Sequence, residues 1–352
     1  MSQYIHLTVK EVIRETEDAV TLVFQNPASP LKYKPGQFLT LIINIKGEKV
    51  RRSYSLCTYP GVDSDPAVTV KKVPGGLVST FVADNVKPGD QIEVMEPMGI
   101  FTAEPDYHKK RDIVLAGGGS GITPLMGIAR AILHDEPLST VYLFYANRDE
   151  NSIIFSNKLN QLKAEHGDRF HVIHVLSQPL NNTHKPAGRL NRSSFIKLLE
   201  TFPKLDLAKA EYFVCGPKGL MEEIEHGLAL LKVPSTQIHK ESFVSGPAEE
   251  AKGKVVEATQ DGPKEVTIIY QGNEYKIVVP QNKTILQTAL DKKIDLPYSC
   301  QSGMCTACMG KCTSGKVHLD DPDGLSDKEI DQGYVLICVG HPVSSDVVIE
   351  ID

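Results

Sequence analysis

Ile113-Val114-Leu115-Ala116-Gly117-Gly118-Gly119-Ser120-Gly121-Ile122-Thr123-Pro124 is a short apolar run that ends in glycines, and apolar residues recur at helical spacing from 125 to 134. A strand this uniformly apolar belongs to a parallel sheet covered on both faces. The glycines let backbone N–H groups reach a pyrophosphate, helped by the N-terminus of the following helix. Thr123 suits the helix cap and Pro124 the first helical position. The pattern is G-x-G-x-x-P, not the G-x-G-x-x-G of dinucleotide dehydrogenases. Gly119, Gly121, Thr123 and Pro124 therefore mark a nucleotide-binding loop, with a purely structural turn as the alternative.

The same alternation continues downstream. Runs at 141–145, 171–176 and 211–214 read as buried strands, and 155–166, 193–200 and 218–231 as helices. This predicts an α/β parallel-sheet domain over 107–244. Upstream, β-type runs at 5–13, 19–24, 37–45, 67–72 and 90–95 are separated by Gly/Pro turns, which predicts an antiparallel β-barrel domain over 1–106. Residues 245–262, rich in Gly, Pro, Ala and charge, read as a linker. The last segment, 263–352, opens with strands at 265–270 and 274–279 and a helix at 284–292 that Thr284 can cap. A long cysteine-bearing loop follows, then strands at 334–339 and 346–351. This is a compact α+β module.

A chain of 352 residues is expected to form two or three domains. With 41% hydrophobic and 23% charged residues it has the composition of an ordinary globular protein. No apolar run approaches the ~18 residues of a membrane span. The opening Met-Ser-Gln-Tyr-Ile-His lacks the basic and apolar regions of a secretion signal, so a cytoplasmic location is expected. A net charge of −6 argues against a dedicated nucleic-acid binder. Residues 263–352 carry 8 Lys and 13 Asp/Glu, a net of −5, so nearly all the imbalance sits in the last module. That suggests an electrostatically steered docking surface, the alternative being a solvated acidic face.

Five of the seven cysteines lie in the same module. An odd total without a leader points to a metal or redox site rather than a disulfide framework. Cys300-Gln-Ser-Gly-Met-Cys305-Thr-Ala-Cys308 is C-x4-C-x2-C, and Cys338 follows 30 positions after Cys308. This is the plant-type [2Fe–2S] ligand spacing. Structural zinc usually takes paired C-x2-C knuckles, and only one such pair is present. Cys305 and Cys308 alone could form a thioredoxin-like dithiol, but Cys300 and Cys338 argue against it. Cys312 competes with Cys338 as fourth ligand. Cys338, ending the apolar run Val335-Leu336-Ile337, is the preferred choice, with Cys312 read as a small buried side chain.

Arg52-Ser53-Tyr54-Ser55, then Gly76-Leu77-Val78-Ser79, then the glycine loop, then Cys215-Gly216-Pro217, resembles in motif and order the ferredoxin-NADP reductase family. With the cysteine module last, the layout is similar to reductase components of multicomponent oxygenases, above all the phenylacetyl-CoA epoxidase type. The likeness covers the whole chain except the linker. It implies an FAD-binding barrel, an NAD(P)-binding domain and a β-grasp ferredoxin domain. In that scheme Arg52 holds the FAD pyrophosphate, Tyr54 packs on the isoalloxazine and Ser55 bonds near flavin N5. Gly76, Leu77, Val78 and Ser79 add pyrophosphate contacts, and Ser53 and Lys71 join the cofactor-binding set. Cys215, Gly216 and Pro217 lie beside the nicotinamide, and Glu241 and Phe243 match an E-x-F element near the flavin. Ser55, Thr123, Cys215 and Glu241 form the implied catalytic set. Arg148, after the second parallel strand, can pair with a 2′-phosphate, whereas NAD-specific sites usually offer an acid there. Arg148 makes NADPH the expected donor, and the adjacent Asp149 and Glu150 keep NADH as the alternative.

The expected activity is electron transfer from NADPH through FAD to a [2Fe–2S] cluster and on to a protein acceptor, a di-iron oxygenase component. Two other readings stay open here: a stand-alone reductase of a heme or small-molecule acceptor, and a non-enzymatic iron–sulfur sensor.

Overall fold

A computed structural model describes residues 4–181, 183–243 and 262–351. The alternating apolar residues of the N-terminal part form an antiparallel sheet. Its strands are β1 (Tyr4–Thr16), β2 (Ala19–Phe24), β3 (Phe38–Ile45), β4 (Glu48–Ser55), β5 (Ala67–Lys71) and β6 (Gln91–Met95), in the order β4-β3-β6-β1-β2-β5. Leu7, Val9, Leu22, Leu41, Val68 and Val94 point to one core, each contributing about 1.5–3 kcal/mol by burial. Helix α1 (Leu77–Asn85) adds Val78 and Val82 to that core. Sequence patterning marks neither β4 nor α1. The strand reads Glu-Lys-Val-Arg-Arg-Ser-Tyr-Ser, with no apolar alternation, and the helix is too short to show a period.

Five strands form the parallel sheet: β7 (Asp112–Gly118), β8 (Thr140–Asn147), β9 (Phe170–Leu176), β10 (Glu211–Gly216) and β11 (Ile238–Ser242). Ile113, Leu115, Val141 and Leu143 pack with helices α2 (Ile122–Asp135) and α3 (Ser156–His166). The alternate residues Val114, Ala116, Tyr142 and Phe144 pack with α4 (Arg192–Leu199) and α5 (Lys218–Leu230). Both faces are thus covered, as the uniformly apolar strands require. The order β11-β10-β7-β8-β9 means the chain reverses direction of growth beside β7. The carboxyl ends of β7 and β10 therefore flank a topological switch point, where such sheets bind ligands.

One local expectation is corrected here. Gly121, not Thr123, caps α2, because a 3₁₀ turn over Gly119–Gly121 starts the helix earlier. Pro124 becomes the third helical residue, where its missing N–H still costs nothing. Thr123 instead donates its hydroxyl to the Ser120 carbonyl at 3.0 Å.

The last module comprises β12 (Lys264–Tyr270), β13 (Asn273–Val279), α6 (Ile285–Asp291), β14 (Met309–Ser314), β15 (Val317–Leu319), α7 (Asp327–Asp331), β16 (Tyr334–Leu336), β17 (Gly340–Pro342) and β18 (Val347–Ile351). Its main sheet runs β13-β12-β18-β14-β16, with β12 and β18 parallel, and β15 pairs with β17. Thr284 caps α6 in a capping box with Gln287, as expected. Ile285, Leu286 and Ala289 pack the helix onto Val266, Ile268 and Ile349.

The described residues divide into two compact units, one within Met1–Val50 and Tyr54–Ser245, the other within Gly246–Asp352 together with Arg51–Ser53. The linker expected at 245–262 lies outside the described residues except for Gly262. Among the described residues no helix is long and apolar enough to cross a membrane.

Candidate active site and cluster site

At the switch point, Cys215 on β10 pairs with Gly117 on β7 and with Glu241 on β11. The glycine loop and the Cys215-Gly216-Pro217 turn are in van der Waals contact. A Cβ on Gly121 would sit 2.1 Å from the Cys215 carbonyl oxygen, so no other residue fits without moving backbone. Tyr145, on β8, donates its hydroxyl to the Gly119 carbonyl at 2.9 Å and holds the loop from the other side. No sequence motif singles out Tyr145. Its signal is only positional, an aromatic residue at the carboxyl end of the strand next to β7.

Ser55, at the end of β4, is buried, and its Oγ donates to Glu241 Oε2 at 3.3 Å. Three sequence-predicted residues, Ser55, Cys215 and Glu241, are thereby brought to one place. Glu241 is half-buried as a residue, but its carboxyl group is enclosed. Burial pushes it up to about 8, against a smaller opposing pull from the Ser55 hydroxyl. Burial, followed by the neighbouring Glu241, pushes the Cys215 thiol well above its ordinary value. Near neutral pH the pair is therefore a carboxylic acid and a thiol, two buried uncharged groups that can donate hydrogen bonds. Phe243, just beyond, packs against the core shared by α2 and β7.

The flavin-motif residues divide by what they can offer. Tyr54 is half-buried against the core of the antiparallel sheet, and Arg52 is half-buried, its guanidinium donating to the Arg51 carbonyl at 2.7 Å. Val78 is spent on the core and Leu77 is exposed, so both can contribute backbone N–H rather than side chain. Gly76 precedes α1 without any side-chain cap, and the Ser79 hydroxyl accepts from the Val73 N–H at 3.1 Å. The uncapped amides suit an anion such as a pyrophosphate. Lys71, ending β5, places its Nζ 3.8 Å from where a Cβ on Gly119 would lie. Arg148 is exposed just after β8, its Nε donating to Asp149 at 3.0 Å.

In the last module Cys300, Cys305, Cys308 and Cys338 converge. Cys305 Sγ lies 3.2 Å from Cys300 Sγ, and the Cys338 thiol bonds with those of Cys300 and Cys308. The Ser302 N–H donates to Cys300 Sγ at 3.4 Å. Hydrogen bonds from Cys305 and Cys338 hold the Cys300 thiol far below its usual range, while Cys305 and Cys338 are pushed up by the same contacts. The buried Ser299 and Thr306 hydroxyls flank these cysteines with no protein partner, and a sulfur-rich group would supply acceptors for both. Gly303, at φ +72°, has the Asp321 carbonyl oxygen 2.7 Å from its Cβ position, so the loop closes only around glycine. Four convergent cysteine sulfurs, an amide directed at sulfur and two waiting hydroxyls fit an iron–sulfur cluster. Cys312 stands apart on β14. It is half-buried rather than buried, because its thiol turns outward to the Ser314 carbonyl at 3.2 Å.

Comparison with known proteins gives three family matches along the chain. Residues 5–102 match the oxidoreductase FAD-binding domain, 115–226 the oxidoreductase NAD-binding domain and 268–343 the 2Fe-2S iron-sulfur cluster binding domain. Together they define an NAD(P)H-dependent flavin and iron–sulfur electron-transfer reductase. The chain is 35% identical to a subunit of the 1,2-phenylacetyl-CoA epoxidase of Escherichia coli (strain K12) over 359 residues, covering 100% of this chain and 99% of that protein. It is also 35% identical to the ferredoxin reductase component of 3-ketosteroid-9-alpha-monooxygenase of Mycolicibacterium smegmatis over 361 residues, covering 100% and 98%. The chain belongs to the family of oxygenase ferredoxin reductase components. Its fold is similar to that of phthalate dioxygenase reductase, with TM-score 0.60 and 24% identity over 99% of this chain and 98% of that one.

Proposed function

We propose that the chain accepts a hydride from NADPH, with NADH the weaker donor, and passes the electrons through a [2Fe–2S] cluster to an oxygenase component, one of the phenylacetyl-CoA epoxidase type. The supporting observation is that Ser55 from one sheet and Cys215 and Glu241 from the other meet at the switch point. FAD, when bound, supplies the conversion between two-electron and one-electron transfer.

The chain's residues take the following parts. Arg52, Ser53, Tyr54, Lys71, Gly76 through its lack of a side chain, and the N–H groups of Leu77, Val78 and Ser79 hold the cofactors' phosphates and ring. Gly119, Gly121, Thr123, Pro124, Gly216 and Pro217 shape the dinucleotide cleft, and Arg148 meets the 2′-phosphate. Ser55 orients Glu241, which keeps a proton on its carboxyl group, while Cys215 and Phe243 exclude water from the reacting faces. Cys300, Cys305, Cys308 and Cys338 ligate the cluster. We set the domain limits at 1–106, 107–244 and 263–352, joined by a linker at 245–262. All seven cysteines are free, in keeping with a cytoplasmic protein.

The test is anaerobic purification followed by absorption spectroscopy and two assays. Flavin and iron–sulfur bands, NADPH oxidation with ferricyanide, and electron delivery to a purified epoxidase oxygenase component are expected. Absence of both sets of bands would refute the proposal. Ferricyanide activity without delivery to any oxygenase component would favour a stand-alone reductase.

A further inference from the structure

The glycine loop is held from behind by a residue outside every motif. Tyr145 on β8 stands opposite Gly117 in the parallel pairing of β7 and β8, and opposite His174 on its other side. Its side chain is fully buried in the core that packs β7 and β8 with α2 and α3, and its ring centre lies 6.0 Å from that of His174. A ring packed this closely does not swing, so its hydroxyl is a fixed point. Burial pushes that hydroxyl well above its ordinary value, so it keeps its proton and serves as a donor. It donates to the Gly119 carbonyl at 2.9 Å. Gly119 needs such an anchor. At φ +54° it sits in the left-handed region, which glycine enters and leaves at little cost, so the chain alone does not fix how its peptide is turned.

We propose that Tyr145 is a positioning residue for the dinucleotide: by holding the Gly119 carbonyl it fixes the Gly119–Ser120 peptide with the Ser120 N–H turned toward the pyrophosphate. The inference rests on the dinucleotide reading of the cleft given above. In a trans peptide the C=O and the following N–H point in opposite directions. The Gly119 carbonyl points into the core at Tyr145, so the Ser120 N–H points out of it, toward the cleft at the carboxyl end of β7. Ser120 is the second residue of the 3₁₀ turn, where an N–H has no partner within the turn. The next peptide is held in the same way, since the Thr123 hydroxyl donates to the Ser120 carbonyl at 3.0 Å. An amide aimed in advance costs no ordering when the phosphate arrives. The pyrophosphate is common to NADPH and NADH, so Tyr145 raises the affinity for both alike, whereas Arg148 acts at the 2′ position alone. Tyr145 leaves the reacting geometry to Ser55, Cys215 and Glu241.

The test compares flavin-loaded wild type with Tyr145→Phe, which keeps the buried ring and removes only the donor. Stopped-flow reduction of the flavin at varied NADPH and at varied NADH separates the dissociation constant from the limiting rate. In Tyr145→Phe the dissociation constant should rise on the order of five-fold for each dinucleotide, as the loss of one hydrogen bond implies. The limiting rate and the flavin content should stay at the wild-type level. Calorimetric titration with ADP, which carries the pyrophosphate without the nicotinamide, should weaken by the same factor. An unchanged dissociation constant, a rise confined to one dinucleotide, ADP binding as tight as in wild type, or a fall in limiting rate as large as the rise in dissociation constant would overturn the proposal. Loss of bound flavin from Tyr145→Phe would overturn it too, since the hydroxyl would then serve the fold at large. Wild-type protein that binds neither ADP nor NADPH would instead overturn the cleft reading on which the inference stands.

Discussion

The Ser55 hydroxyl donates to Glu241 Oε2 at 3.3 Å across 186 positions of sequence. One residue ends a strand of the antiparallel sheet, the other lies on the edge strand of the parallel sheet, beside Cys215. The bond therefore ties the part of the chain that carries the flavin motif to the part that carries the nucleotide loop. It also fixes which carboxyl oxygen is free to hold the proton. Ser55→Ala removes a hydrogen bond worth about 1–1.5 kcal/mol. Flavin reduction by NAD(P)H in stopped flow should slow about ten-fold, with the dissociation constant of the dinucleotide little changed. The alkaline limb of the pH profile should move upward, since the lost bond was what pulled Glu241 down. Unaltered kinetics would show that the contact plays no part in orientation.

Glu241 also makes stability depend on pH. Its carboxyl group stands at about 8 in the folded protein against an ordinary value of 4.5. A raised carboxyl binds its proton in the folded state while the unfolded chain has already released it. Its favourable contribution is complete below 4.5 and is lost as pH rises through about 8. Thermal unfolding should show stability falling across that window by up to a few kcal/mol in wild type and by much less in Glu241→Gln. A Glu241→Gln curve as steep as wild type would assign the slope to other groups.

Gly121 and Gly219 make a contrasting pair. A Cβ on Gly121 would meet the Cys215 carbonyl oxygen at 2.1 Å, whereas one on Gly219 meets nothing within 4 Å. Gly121→Ala should cost about 3 kcal/mol or more, because backbone rather than a side-chain tip must move. Gly219→Ala, in the first turn of α5, should be neutral or stabilising by up to about 1 kcal/mol. Melting temperatures of the two variants decide it.

The cluster loop separates two cysteines that the sequence leaves in competition. Cys338 bonds with Cys300 and Cys308, while Cys312 turns its thiol to the Ser314 carbonyl. Cys312→Ser should keep the wild-type iron content and visible spectrum, and Cys338→Ser should lose most of both. The reverse result would exchange their roles.

What could be read from the sequence follows the range of each signal. The cysteine spacing, the glycine loop and the Thr284 cap are local, and each lies where expected. The strand–helix alternation after Asp112 is also local, since uniformly apolar strands betray a covered parallel sheet. β4 and β14 escape sequence patterning because Glu48–Ser55 and Met309–Ser314 are mostly polar or small and gain their strand form from neighbours. β11, Ile-His-Lys-Glu-Ser, is a half-polar edge strand for the same reason. Thr123 misleads as a cap because a 3₁₀ turn made of glycine and serine leaves no periodic mark. The bonds of Ser55 to Glu241 and of Tyr145 to Gly119 depend on which strands lie adjacent, and only the folded sheet order reveals them.

The central claim is that electrons enter at the dinucleotide cleft and leave through the cysteine-ligated cluster. Steady-state assay of Cys305→Ser with two acceptors tests it most directly. The account predicts near wild-type NADPH oxidation with ferricyanide and loss of transfer to the oxygenase component. Equal loss with both acceptors, or undiminished transfer to the protein acceptor, would contradict it.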